Sequence, residues 1–312
     1  MRWIRPTAIA ATVVTALAPW ASEPASGAWQ NVLSEDFQTN PITNGRAVKV
    51  FGSSRYTYNA SGSIDTAVDT TKDTAKLRWD LDNDPSSERT FTDQDSLRLQ
   101  VDFTIGTNLS AAGFGQIAFG LTNSSTTGPD RVGGNRNPRS DAYDLVTVDY
   151  FPISSSPTFT PTVVSSANGS SYGNHVNFPF GGESQIDGKG EVGPLPEGQV
   201  LTAQLTYQAA TRQFTLDLTD SQGNGVAINA DGGGADGDAS TVQYTLPTEA
   251  DFNVDSFTLP LWHDSFHDSS FGGPVTGTVT YSDFAVQTPE PTTALLLTGP
   301  AVALLMRRRR RA

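Results

Sequence analysis

The segment SLRLQVDFTI, residues 96–105, alternates without a break. Leu97, Leu99, Val101, Phe103 and Ile105 fall on one side of an extended chain; Arg98, Gln100, Asp102 and Thr104 fall on the other. Successive side chains of a strand point to opposite faces, so this segment predicts a half-buried β-strand with one wet face. VLTAQLTYQAATRQFTLDLTD repeats the pattern through Leu201, Ala203, Leu205 and Tyr207, breaks at Ala209 to Thr211, and resumes at Phe214, Leu216 and Leu218, which predicts an antiparallel hairpin. AKLRWDL, FGQIAFGLT, YDLVTVDYF, VDSFTLPLW and TGTVTYSDFAV have the same period, with glycine and proline marking turns between them. No window has a convincing helical period, and no 20 to 50 residue repeat points to a propeller or solenoid. Strands with one apolar face bury it most economically in two stacked sheets. The expectation is an all-β fold, an antiparallel jelly-roll sandwich of about 12 to 14 strands.

The two ends of the chain read differently. Arg2 and Arg5 precede an apolar stretch, Ala8 to Ala18, and small residues follow at Ser26 and Ala28, the pattern of a signal peptide (1–28) cut after Ala28. The chain closes with TPEPTTALLLTGPAVALLMRRRRRA, residues 288–312. Its uncharged run, 292–306, would span about 22 Å as a helix against a hydrocarbon core of about 30 Å, so it crosses only with help from snorkelling flanks. Arg307, Arg308, Arg309, Arg310 and Arg311 then keep that end cytoplasmic and put the sandwich, residues 29–287, on the far side.

The Pro289-Glu290-Pro291 triplet, the apolar run and the arginine cluster together resemble the PEP-CTERM sorting signal. The resemblance implies a transient inner-membrane anchor that an exosortase cuts near the triplet. With signal peptidase at the other end, it implies delivery to the cell surface or extracellular matrix. Within the body, VLSEDF, LTYQAATRQFTLDL and VTYSDFAV resemble the first strand, a central hairpin and the last strand of the concanavalin A-like lectin/glucanase sandwich. That family includes lectins, hydrolases and inert adhesion modules.

Charge narrows the partners. Residues 29–288 carry 13 basic and 31 acidic groups, a net charge of −18, which repels nucleic acid and anionic lipid. There is no cysteine, so stability has to come from a large core rather than disulfide staples.

No catalytic residue is assigned. In ESQIDGKGE, Glu183, Asp187 and Glu191 stand four apart, about 13 Å on a strand, too far for the roughly 5 to 9.5 Å of a glycosidase pair. There is no Gly-x-Ser-x-Gly elbow. WHDSFHDSSF holds His263 and His267 beside Asp264 and Asp268, but follows a strand pattern and lacks the glutamate of a His-Glu-x-x-His zinc motif. Calcium suits the acidic turns better. WDLDNDPSSE groups Asp80, Asp82, Asn83 and Asp84, and INADGGGADGDAS groups Asp231, Asp236 and Asp238; each reads either as part of a calcium shell or as a solvated acidic loop. Trp79 and Trp262, with His263 beside the latter, are candidate sugar contacts, along with Tyr172, Phe178 and Phe180. Two functions fit: a non-enzymatic surface or matrix protein that binds exopolysaccharide, or a secreted glycan hydrolase or lyase whose carboxylates come from separate strands.

Overall fold

The alternation at residues 97–105 becomes strand β7 (Leu97–Ile105), in which each apolar residue is buried and each polar one is partly covered. The computed structural model describes residues 28–69, 74–82, 89–109, 116–125, 144–152, 158–165, 171–173, 195–228, 240–262 and 275–290. Within them, Trp29 to Glu290 forms one unit. The only helical element among the described residues is a 3-10 turn, Ser53–Arg55.

Sheet I runs β14 (Thr241–Thr245), β13 (Gln213–Asp220), β12 (Val200–Gln208), β7, β17 (Thr276–Pro289), β4 (Ser63–Asp69), β3 (Tyr56–Asn59). β1 (Trp29–Glu35) pairs with the second half of β17, on the edge that β4 uses in the first half. Sheet II runs β11 (Ser171–Gly173), β10 (Thr158–Val164), β9 (Leu145–Phe151), β8 (Gln116–Thr122), β16 (Ser256–Trp262), β5 (Ala75–Asp80), β2 (Val48–Phe51). β6 (Phe91–Thr92) and β15 (Asn253–Val254) form a small separate pair. All named strand pairs are antiparallel.

The order is nested. The centre of sheet I is β4-β17-β7 and the centre of sheet II is β5-β16-β8, so the chain crosses between sheets at β4 to β5, β7 to β8 and β16 to β17. That nesting is what a jelly roll requires. The described residues hold 17 strands rather than the expected 12 to 14, because β2, β3, β6, β11 and β15 are two to four residues long, too short for alternation to show.

Aromatic rings from the two sheets join the halves of the sandwich. Phe257 of sheet II stacks on Phe284 of sheet I at 3.9 Å, and Phe103 packs on Phe119 across the layers at 5.5 Å. Trp79 corrects one expectation. It faces inward on β5, 1 % exposed, with Phe37, Phe257 and Phe284 around it, so it cannot stack on a sugar. The parity of β5 decides this: Ala75, Leu77 and Trp79 share the core side, while Arg78 and Asp80 share the other. The sheet also extends past the expected domain end at 287, since Thr288 and Pro289 still pair with Gln30 and Trp29.

Candidate functional site

Two of the expected metal ligands already have protein partners. Asp80, exposed at the end of β5, lies 3.0 Å from the Arg78 guanidinium, and Asp82 accepts the Arg89 backbone N–H at 2.8 Å. Among the described residues no three His, Cys, Asp or Glu side chains are grouped to hold a metal. Asp84, Asp231, Asp236, Asp238, His263, Pro291 and Arg307 to Arg311 lie outside the described residues, as do Glu183, Asp187, Glu191 and the side chain of Trp262. No helix among the described residues is long and apolar enough to cross a membrane, and 292–306 falls outside them.

The sandwich has two outer faces, and they differ. On sheet II the outward side chains of Lys76, Thr147, Asp149, Thr160, Thr162 and Thr258 are all buried. Lys76, Pro260, Ala118, Asp149 and Thr160 follow one another across β5, β16, β8, β9 and β10. The outer face of sheet I is only partly covered. Its side chains across β4, β7, β12, β13, β14 and β17 are mostly threonine, glutamine and aspartate, with no lysine or glutamate.

Register organises that face into rungs. Asp102 on β7 is opposite Thr202 on β12, whose hydroxyl donates to Asp102 Oδ1 at 2.8 Å. Asp217 on β13 accepts from Thr241 on β14 at 2.5 Å, and Asp65 on β4 accepts from Thr280 on β17 at 2.6 Å, each again from the residue directly opposite. The second oxygen of each carboxylate has no protein hydrogen bond among the described residues. Threonine fixes the carboxylate while leaving acceptor capacity toward solvent. Such a group is preorganised for a hydroxyl donor.

A bulge in β17 between Tyr281 and Asp283 adds a carboxylate. The extra residue, Ser282, lets Val279, Tyr281, Phe284 and Val286 all face the core, and it turns Asp283 outward, directly opposite Asp102. Side chains so placed have Cβ atoms about 4.5–5.5 Å apart. Partial removal from water, followed by the charges of Asp102, Asp36 and Glu35, pushes the Asp283 carboxyl up to about 6. Glu35 itself points inward. Burial raises it, opposed by the Phe37 N–H at 3.0 Å and the Arg46 guanidinium at 3.0 Å, and it anchors the loop after β1 rather than facing a ligand.

Arg98 is the cation of this face. Its guanidinium lies 4.3 Å from the Trp29 ring, and its Nε is buried without a hydrogen-bond partner. Burial pulls its pKa down. The indole face and the nearby Asp217 carboxylate together stabilise its charge, and the ring contact ties the start of β1 across β17 to β7.

Sequence reading missed Asp65, Asp217 and Asp283 and the threonines that hold the rungs. Their outward parity was visible, but which residues stand opposite one another depends on register between segments as far apart as Asp65 and Thr280.

By sequence, no protein-family description and no curated protein matches this chain. Among solved structures, it is similar to Lectin I from Ulex europaeus, in complex with the methyl glycoside of alpha-L-fucose, at TM-score 0.46 and 12 % identity, covering 82 % of this chain and 97 % of that one. A Lotus tetragonolobus seed lectin matches at TM-score 0.46 and 10 % identity, over 83 % and 99 %. Arcelin-5, a lectin-like defence protein from Phaseolus vulgaris, matches at 0.41 and 13 %, over 82 % and 97 %. At TM-scores below 0.5 these likenesses assign neither fold nor ligand to this chain.

Proposed function

We propose that this chain is an exported, non-enzymatic protein whose sandwich binds carbohydrate through the outer face of sheet I, at the cell surface or in the extracellular matrix. The observation that carries the binding reading is the set of Asp–Thr rungs, fixed carboxylates on a partly open face whose named strands have no lysine or glutamate and whose Arg98 is held against Trp29. Sugar hydroxyls are donors that such acceptors suit. The export reading rests on the sequence of the two ends, with the PEP-CTERM-like tail as the sorting signal. One structural fact favours it: Trp29, the first residue after the expected signal-peptide cut, pairs with Pro289, the first residue of the triplet. The expected signal-peptide cut thus abuts the first residue of the sheet, and the triplet begins where the sheet ends.

Full-length chain in mild detergent, screened against a glycan array and insoluble polysaccharides, tests the binding. Retention on at least one polysaccharide, lost in the Asp102→Ala/Asp217→Ala double variant, is the expected result; no retention on any would overturn it.

A second reading is favoured by Asp102 and Asp283. Two carboxylate residues from separate strands stand directly opposite one another, as a hydrolytic pair requires, and Asp283 is raised to about 6, so it holds a proton more readily than an ordinary aspartate. Release of reducing sugar from a bound glycan, abolished by Asp283→Asn, would replace the non-enzymatic reading with a hydrolytic one.

A further inference from the structure

The three rungs repeat by a single translation. From Asp217/Thr241 on β13 and β14, a shift of two strands and one outward position reaches Asp102/Thr202 on β7 and β12. The same shift reaches Asp65/Thr280 on β4 and β17. Register establishes this directly, because Asp217 shares a cross-strand row with Gln204 and Gln100, while Asp102 and Thr104 are the next outward positions along β7. Two strand spacings are about 9.6 Å and one outward step is about 6.8 Å, so successive rungs lie about 12 Å apart along a diagonal of about 24 Å. That interval is close to the length of a disaccharide in an extended chain.

We infer that the face of sheet I binds a linear, neutral polysaccharide lying along this diagonal, with alternate sugars donating a hydroxyl to Asp217, Asp102 and Asp65. The inference rests on the carbohydrate reading above and adds the class of glycan and its direction. Neutrality follows from charge. The face carries Asp65, Asp102, Asp217 and Asp283 against Arg98, whose guanidinium is already stacked on Trp29, so a polyuronate would meet repulsion along the whole diagonal. Linearity follows from shape, because the rungs stand on a sheet face rather than in a pocket. Hydrogen bonds on an open face are individually weak, so affinity has to accumulate over rungs, and a ligand shorter than the repeat gains little.

Titration calorimetry on the full-length chain in detergent decides it. The probes are neutral β-linked oligosaccharides of two, four and six sugars from the gluco-, xylo- and manno-series, with an oligouronate as the anionic control. In at least one neutral series the affinity should rise by about tenfold or more from two sugars to six, and the oligouronate should bind more weakly. Asp65→Asn, Asp102→Asn and Asp217→Asn each keep an oxygen for the partner threonine, so the fold should survive, and Asp102→Asn should melt no lower because it also relieves the repulsion with Asp283, yet each should weaken six-sugar binding by about tenfold. Affinity that does not depend on length, a preference for the oligouronate, or Asn variants that bind normally would overturn the inference while leaving carbohydrate binding intact. If no glycan of any kind binds, the carbohydrate reading itself falls, and this inference with it.

Discussion

Replacing Arg212 tests how the hairpin β12–β13 is held to the rest of the sandwich. Its guanidinium donates to Leu246 O at 3.3 Å, to Pro247 O at 2.9 Å, to Ala250 O, and to the Asp93 carboxylate at 2.5 Å. The Asp93 carbonyl in turn accepts the Tyr207 hydroxyl at 2.8 Å. One side chain thus ties the hairpin turn to the segment after β14 and to the loop before β7. Both members of the ion pair are 19 % exposed, so the interaction is mostly out of water. Removing one partner of a buried pair costs about 3–5 kcal/mol, and partial exposure puts Arg212→Ala at about 3 kcal/mol. For a body of this size 1 kcal/mol moves the melting temperature by about 2 °C, so the fall should be about 6 °C. Arg212 also sits at φ 54°, a left-handed conformation that costs any residue with a Cβ. Arg212→Gly should therefore recover about 1 kcal/mol relative to Arg212→Ala, leaving a fall of about 4 °C. Near-ultraviolet circular dichroism melts of the three proteins measure this. A shift under about 1 °C for Arg212→Ala, or glycine no better than alanine, would refute the reasoning.

At Gly120 a Cβ would stand 2.3 Å from Val146 O and 2.6 Å from Thr147 Cα, on the neighbouring strand, so Gly120→Ala should destabilise by about 3 kcal/mol in urea unfolding, and a neutral variant would refute the close approach of β8 and β9. Asn31 and Gln287 are directly opposite, and the native chain has no cysteine to interfere; Asn31→Cys with Gln287→Cys should oxidise to an intramolecular disulfide, seen as a mass loss of about two hydrogens, and failure to close would count against the β1–β17 register. Because the folded Asp283 carboxyl titrates at about 6 rather than 3.8, the native state keeps a proton that the unfolded chain has lost between those values. Stability from this group is thus lost as pH rises from about 4 to about 6, so Asp283→Asn should raise the melting temperature at pH 7 and leave it unchanged at pH 3.5. Asp82→Ala gives up the Arg89 N–H bond and should cost about 1 kcal/mol in chelator and in calcium alike; a loss confined to calcium would make that turn a metal ligand after all.

Parity along each strand is a property of the chain itself, and it was fully legible. The odd residues of 97–105, and Leu201, Ala203, Leu205, Tyr207, Phe214, Leu216 and Leu218, are buried as their alternation requires, since an extended backbone leaves each side chain only two directions. The all-β class followed from that alone. Trp79 shows where residue type misled: an aromatic near a loop end suggested a sugar platform, although its parity with Ala75 and Leu77 already marked it as core. What tertiary structure decided is which strands become neighbours and at what register. Asp102 lies 100 residues from Thr202, Asp65 lies 215 from Thr280, and the Ser282 bulge turns Asp283 toward Asp102 instead of into the core. The nested crossovers that set β4, β17 and β7 side by side answer to the sum of apolar burial in both sheets. No local window contains that sum. The Asp–Thr rungs, like the meeting of Trp29 with Pro289, exist only because the closed sandwich fixes one register among many that alternation would permit.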